Sequence, residues 1–116
     1  SLIIVGIIAV GTWGLLKDSL KMSLHAVPPR IDEQKVRHFL ISLGGVEAVH
    51  DLHIWPISTT ETALTAHLVM PGGHPGDGFL HHLAHEFEHD FGSGHGTVQI
   101  ETLADHECVL LSDATV

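Results

Sequence analysis

"AVHDLHIWPIS", residues 48–58, decides how this chain is read. Val49, Leu52, Ile54, Trp55 and Ile57 give it the β-branched and aromatic content of a strand. The same stretch holds His50, Asp51 and His53. Two imidazoles and a carboxylate among core residues need a chemical reason, because a polar group that leaves water must find another partner.

The neighbouring segments set that strand in an α+β domain. Before it, Asp32 is suited to cap a helix and Glu33 to complement its dipole, with Val36, Phe39, Leu40 and Leu43 at helical spacing. Gly44-Gly45 stops that helix, and the strand is expected over 46–57. "STTET" is a turn, and "TALTAHLVM" then alternates Leu64, Ala66, Leu68 and Met70 against Ala63, Thr65, His67 and Val69. "PGGHPG" is a loop. Residues 77–91 form a second helix with Phe79, Leu80, Leu83, Ala84, Phe87 and Phe91 on its buried stripe. "HGTVQIETL" is the last strand, with Val98 and Ile100 on one side and Thr97, Gln99 and Glu101 on the other. Two helices on one face of a small mixed sheet, in the order αββαβ, define a single unit over 32–103. A core this small is marginal, so a metal ion or a second copy of the chain would help to hold it.

The ends read differently. Residues 1–16, "SLIIVGIIAVGTWGLL", are apolar on all sides, and Leu16, Leu20 and Leu24 extend the helical spacing beyond them. No basic segment precedes the run and no cleavage site follows it, which argues against a secretory signal. Residues 1–25 are expected to be the end of a transmembrane helix and its extension, with Lys17, Lys21 and Arg30 placing that flank on the cytoplasmic side. Pro28 and Pro29 make 26–31 a linker, and 104–116 is a tail. The formal net charge of −9 repels phosphate backbones, so nucleic acid is not an expected partner, whereas cations are attracted. A single cysteine, Cys108, excludes an internal disulfide and a four-cysteine zinc site.

The 12 histidines carry the functional signal. His50, His67 and His95 fall one to each expected strand, with Glu101 further along the third. Three imidazoles and a carboxylate suit a tetrahedral Zn2+-type ion, and strands ~4.8 Å apart bring such ligands within reach if the registers agree. Three separate, hydrogen-bonded strand histidines are the alternative. On the second helix His81, His85 and His89 lie at i, i+4 and i+8 beside His82 and Glu86, a weaker metal-binding surface. His106 and Cys108 in the tail are further candidate ligands. His53, at an odd offset from His50, is expected on the opposite face of its strand. Asp51 is assigned to strand-end hydrogen bonding or to the shell around the ligands. His25, His38 and His74 receive no role. Binding by such a site needs neutral imidazoles and so should fail below about pH 6. No activated nucleophile accompanies these residues, so an enzyme is not expected.

The apolar helix end, "LLKDSLKMSLHAVPPRID", "VEAVHDLHIWPIS", "ALTAHLVM" and "HGTVQIE" together resemble the cation diffusion facilitator family of divalent-metal transporters. The likeness covers the end of the sixth transmembrane helix and the cytoplasmic C-terminal domain. It implies a ferredoxin-like, metallochaperone-like αββαβ sandwich preceded by an apolar helix. It also implies a homodimer in the cell membrane, with this domain in the cytoplasm binding metal and regulating exchange of Zn2+, or of Cd2+, Co2+ or Ni2+, for protons. By motif, His50, His67 and His95 match the family's cytoplasmic ligand histidines, and Glu101 a strand carboxylate that some members use. Thr97 stands where certain members have an aspartate, which speaks against a two-metal site built there. The family's transport site lies on earlier helices that are not in this chain. An excised piece of a transporter, a dimerisation module with vestigial sites and a stand-alone metal buffer are the three readings, and the apolar start without Met favours the first.

Overall fold

The elements of the computed structural model, which describes residues 1–102, are α1 (Leu2–Ser23), α2 (Glu33–Ser42), β1 (Ala48–Pro56), β2 (Thr62–Val69), α3 (Asp77–Phe91) and β3 (His95–Glu101). α1 runs for 22 residues without burying one of them. Its mean hydropathy of 1.6 makes it, among the described residues, the one helix long and apolar enough to cross a membrane. Its hydroxyls are satisfied within the helix: Thr12 Oγ1 donates to the Ile8 carbonyl and Ser23 Oγ to that of Ser19, each at 2.9 Å. This back-bonding is how a hydroxyl is accommodated where no water is present. The helix thus outlasts its apolar run and ends before Pro28-Pro29.

α2 starts where Asp32 accepts hydrogen bonds from the amides of Gln34 and Lys35. Its Val36 and Leu40 are fully buried. The sheet has the order β1-β2-β3, with β1 antiparallel and β3 parallel to the central β2. A parallel pair cannot be joined by a tight turn, and α3 is the crossover. Leu64, Ala66 and Leu68 project from β2 into the core beneath the helices, joined by Val49, Leu52 and Ile54 of β1 and by Leu83 and Phe87 of α3. Ser93 fastens the α3–β3 corner by donating to the Thr62 carbonyl at 3.1 Å. The buried stripe of α3 is narrower than expected: Leu83 and Phe87 are buried, Phe79 and Phe91 partly so, and Ala84 is exposed.

Two glycines are required where they stand. Gly92 ends α3 in the left-handed conformation, at φ 62°. Gly96 lies under the Phe87 ring, and a β-carbon there would come within 2.5 Å of Phe87 Cδ2. Gly96→Ala should therefore lower stability by about 1–3 kcal/mol through overpacking, read as a fall in the thermal midpoint.

Candidate metal centre

The face of the sheet turned away from the helices carries the chemistry. His50 on β1 pairs directly with His67 on β2. On β3, Gln99 pairs with His67 and Glu101 with Val69, so Glu101 lies diagonally across from His67 on the same face. Its carboxylate sits between both imidazoles: Oε2 is 3.1 Å from His50 Nε2 and Oε1 is 3.0 Å from His67 Nδ1. One ligand atom from each of the three residues lies within 4.8 Å of the others. The rings of His50 and His67 meet edge to face, with centroids 5.1 Å apart.

This donor set fits a divalent ion. Each imidazole–carboxylate contact has a proton in the place where a metal ion would lie, and two imidazole nitrogens with a carboxylate leave a further coordination position open. His50 Nδ1 is buried and has no hydrogen-bond partner among the described residues. A buried ring nitrogen left without a bond asks for a donor or an ion.

His95 is not part of this cluster. It opens β3 opposite Ala63, on the correct face but four residues along β2 from His67, ~13 Å at the rise of a strand. The expectation that His50, His67 and His95 meet on one ion is corrected by this parallel register. The second correction concerns His53. The register passes from His50↔His67 to His53↔Thr65, so β1 carries one extra residue between them. Asp51 takes φ 50° at that bulge. The extra residue returns His53 to the face of His50, contrary to its expected place opposite. His53 Nε2 lies 2.8 Å from Asp51 Oδ1, and Asp51 Oδ2 lies 3.5 Å from His67 Nε2. Val49 and Leu52 are both buried; their interval of three is the sequence sign of a break in alternation.

The α3 histidines form no three-ligand group among the described residues. His85 and His89 are exposed and stacked, with centroids 5.8 Å apart, while Glu86 Oε1 lies 3.8 Å from His82 and 3.7 Å from His85. The hydrogen bond that His89 Nδ1–H donates to Asp90 Oδ1 raises the pKa of His89, and the same bond lowers that of Asp90. The pair is thus intact between those two titrations: it is lost as pH rises through the raised histidine value or falls through the lowered aspartate value. His81 is likewise exposed on α3. His106 and Cys108 lie outside the described residues.

A three-stranded mixed sheet under two helices, with a His-His-Glu cluster on its open face, defines an α+β domain with a candidate metal centre. Residues 28–103 match the family model of the cation efflux protein cytoplasmic domain, and the chain belongs to that family. It is similar to a probable zinc transporter protein of Dictyostelium discoideum, 36% identical over 115 residues, covering 91% of this chain and 21% of the relative. It is likewise similar to a cadmium, cobalt and zinc/H(+)-K(+) antiporter of Bacillus subtilis, 30% identical, covering 96% of this chain and 37% of the relative. This chain therefore spans little more than a third of these relatives at most. Among solved structures, the metal-bound C-terminal domain of the CzcD transporter from Cuprividus metallidurans superposes with a TM-score of 0.55 at 30% identity, covering 61% of this chain and 99% of that one.

Proposed function

We propose that this chain is the membrane-anchored, metal-binding regulatory part of a divalent-cation efflux transporter, and not an enzyme. The observation that carries the reading is the convergence of His50, His67 and Glu101 from three strands on one point. Zn2+ is the ion proposed, since borderline imidazole and carboxylate donors suit it and the Dictyostelium relative is named for it. Cd2+ and Co2+ follow from the name of the Bacillus antiporter, and Ni2+ from donor chemistry alone. In the whole protein α1 lies in the cell membrane, the sheet domain lies in the cytoplasm and pairs with a second copy, and proton-coupled export is the activity regulated. His85 and His89 add a weak chelating pair on α3, of the i, i+4 kind that favours Cu2+ and Ni2+ in solution.

Calorimetric Zn2+ titration of the full chain in detergent tests this reading, with His67→Ala beside it and X-ray scattering to follow dimer shape. Tight binding lost in the variant, with compaction on adding metal, is the expected result. Weak binding that ignores the substitution would sink the strand site. His95→Ala should leave the affinity within about twofold, because surface changes away from a site rarely exceed 0.5 kcal/mol, roughly that factor.

A further inference from the structure

Asp51 sits at the irregular point of β1, between His50 and His53. Its backbone is left-handed, at φ 50°, and the bulge it forms is what turns His53 back towards the cluster. One carboxylate oxygen holds His53 Nε2 at 2.8 Å and the other faces His67 Nε2 at 3.5 Å. Glu101 Oε1 faces the other nitrogen of that same ring, Nδ1, at 3.0 Å.

The two nitrogens of an imidazole point away from each other, and a neutral ring carries a proton on only one of them. Without metal, Glu101 is the nearer carboxylate and lies at Nδ1; once a cation takes the Nδ1 lone pair, the ring proton belongs on Nε2, where the Asp51 carboxylate faces it. Metal-binding histidines commonly have the far nitrogen held by a carboxylate, which fixes both the tautomer and the ring orientation. Asp51 cannot join Glu101 on a single ion through His67, because the two carboxylates lie on opposite edges of the ring.

We propose that Asp51 is a positioning residue for the metal centre: it accepts the Nε2–H of His67, is itself anchored by His53, and thereby makes His67 bind a divalent cation through Nδ1. This rests on the reading of His50, His67 and Glu101 as the ligands. The bulge has a purpose on this account. A regular strand would send the residue after His50 to the opposite face, whereas the left-handed turn keeps the Asp51 carboxylate at the edge of the His67 ring.

The experiment uses the full chain in detergent, with Zn2+ as the probe and histidine labelled with 15N. Long-range proton–nitrogen spectra report which nitrogen of His67 carries the proton and which the metal, and competition with a chromophoric chelator gives affinity. Asp51→Gly removes the carboxylate while glycine keeps the left-handed backbone, and Asp51→Asn retains both that conformation and an accepting oxygen. In the parent chain His67 should bind Zn2+ through Nδ1 with Nε2 protonated. Asp51→Gly should weaken binding ~10–100-fold and scramble that tautomer, and Asp51→Asn should restore it. Zinc on Nε2 of His67 in the parent chain, or an unchanged tautomer in Asp51→Gly whatever its affinity, would overturn the proposal. If His67→Ala binds Zn2+ as tightly as the parent, the ligand assignment itself fails, which is a different result.

Discussion

Glu101→Gln should abolish tight Zn2+ binding while leaving the sheet folded. Glu101 is the only carboxylate in the cluster of three converging donors, and its two oxygens each reach a different histidine. Glutamine has nearly the same shape, so the packing of β3 against β2 is kept. What changes is charge and donor strength: a neutral amide replaces the anion of the three-donor cluster, which would balance part of a dication's charge. Residues that only orient a ligand cost ~10–100-fold in affinity, and losing a ligand should exceed that range. A hundredfold loss is about 2.7 kcal/mol. Calorimetry beside a melting curve without metal separates the two effects. An affinity within tenfold of the parent would show that Glu101 is not a ligand, and an unfolded variant would show that its contacts to His50 and His67 are structural.

The register explains why some of this was legible in the sequence and some was not. Helical spacing and the flanking glycines place α3 at 77–91, and the structure has Asp77–Phe91. Asp32 was readable as a cap because its side chain acts on amides two and three residues away. Such local chemistry leaves local marks. The candidate metal centre depends instead on how three strands slide past one another. Assigning one histidine to each strand grouped His95 with His50 and His67, because nothing near His95 shows that it pairs with Ala63 and not with His67. Strict alternation likewise sent His53 to the wrong face. The Val49–Leu52 interval and an aspartate tolerant of left-handed backbone both mark the bulge, but only when read together. The identity of the face was legible, since Gln99 and Glu101 oppose Val98 and Ile100, whereas position along that face was not.

Phe87→Ala should unfold most of the cytoplasmic domain in metal-free buffer, and Zn2+ should restore much of it. Phe87 is 1% exposed, joins the core that Leu64 and Leu68 build from β2, and closes over Gly96. Truncating a buried phenylalanine costs about 3–5 kcal/mol, and Gly96 has no side chain with which to fill the space. Domains of this size hold a small reserve, so a loss of that order removes most of it. The thermal midpoint should fall by more than about 12 °C. On the proposed ligand set, an ion binds only when β1, β2 and β3 are in register, because each strand contributes one ligand. Metal at a hundred times its dissociation constant therefore adds about 2.7 kcal/mol to the folded state, comparable with what the substitution removes. Amide exchange across β2 is the measurement, with and without Zn2+. Protection that returns with metal in Phe87→Ala, but not when Glu101→Gln is added, would tie the stability of the core to the cluster on the opposite face. Protection that returns regardless of Glu101 would place the stabilising ion elsewhere, with the exposed histidines of α3 the first residues to replace.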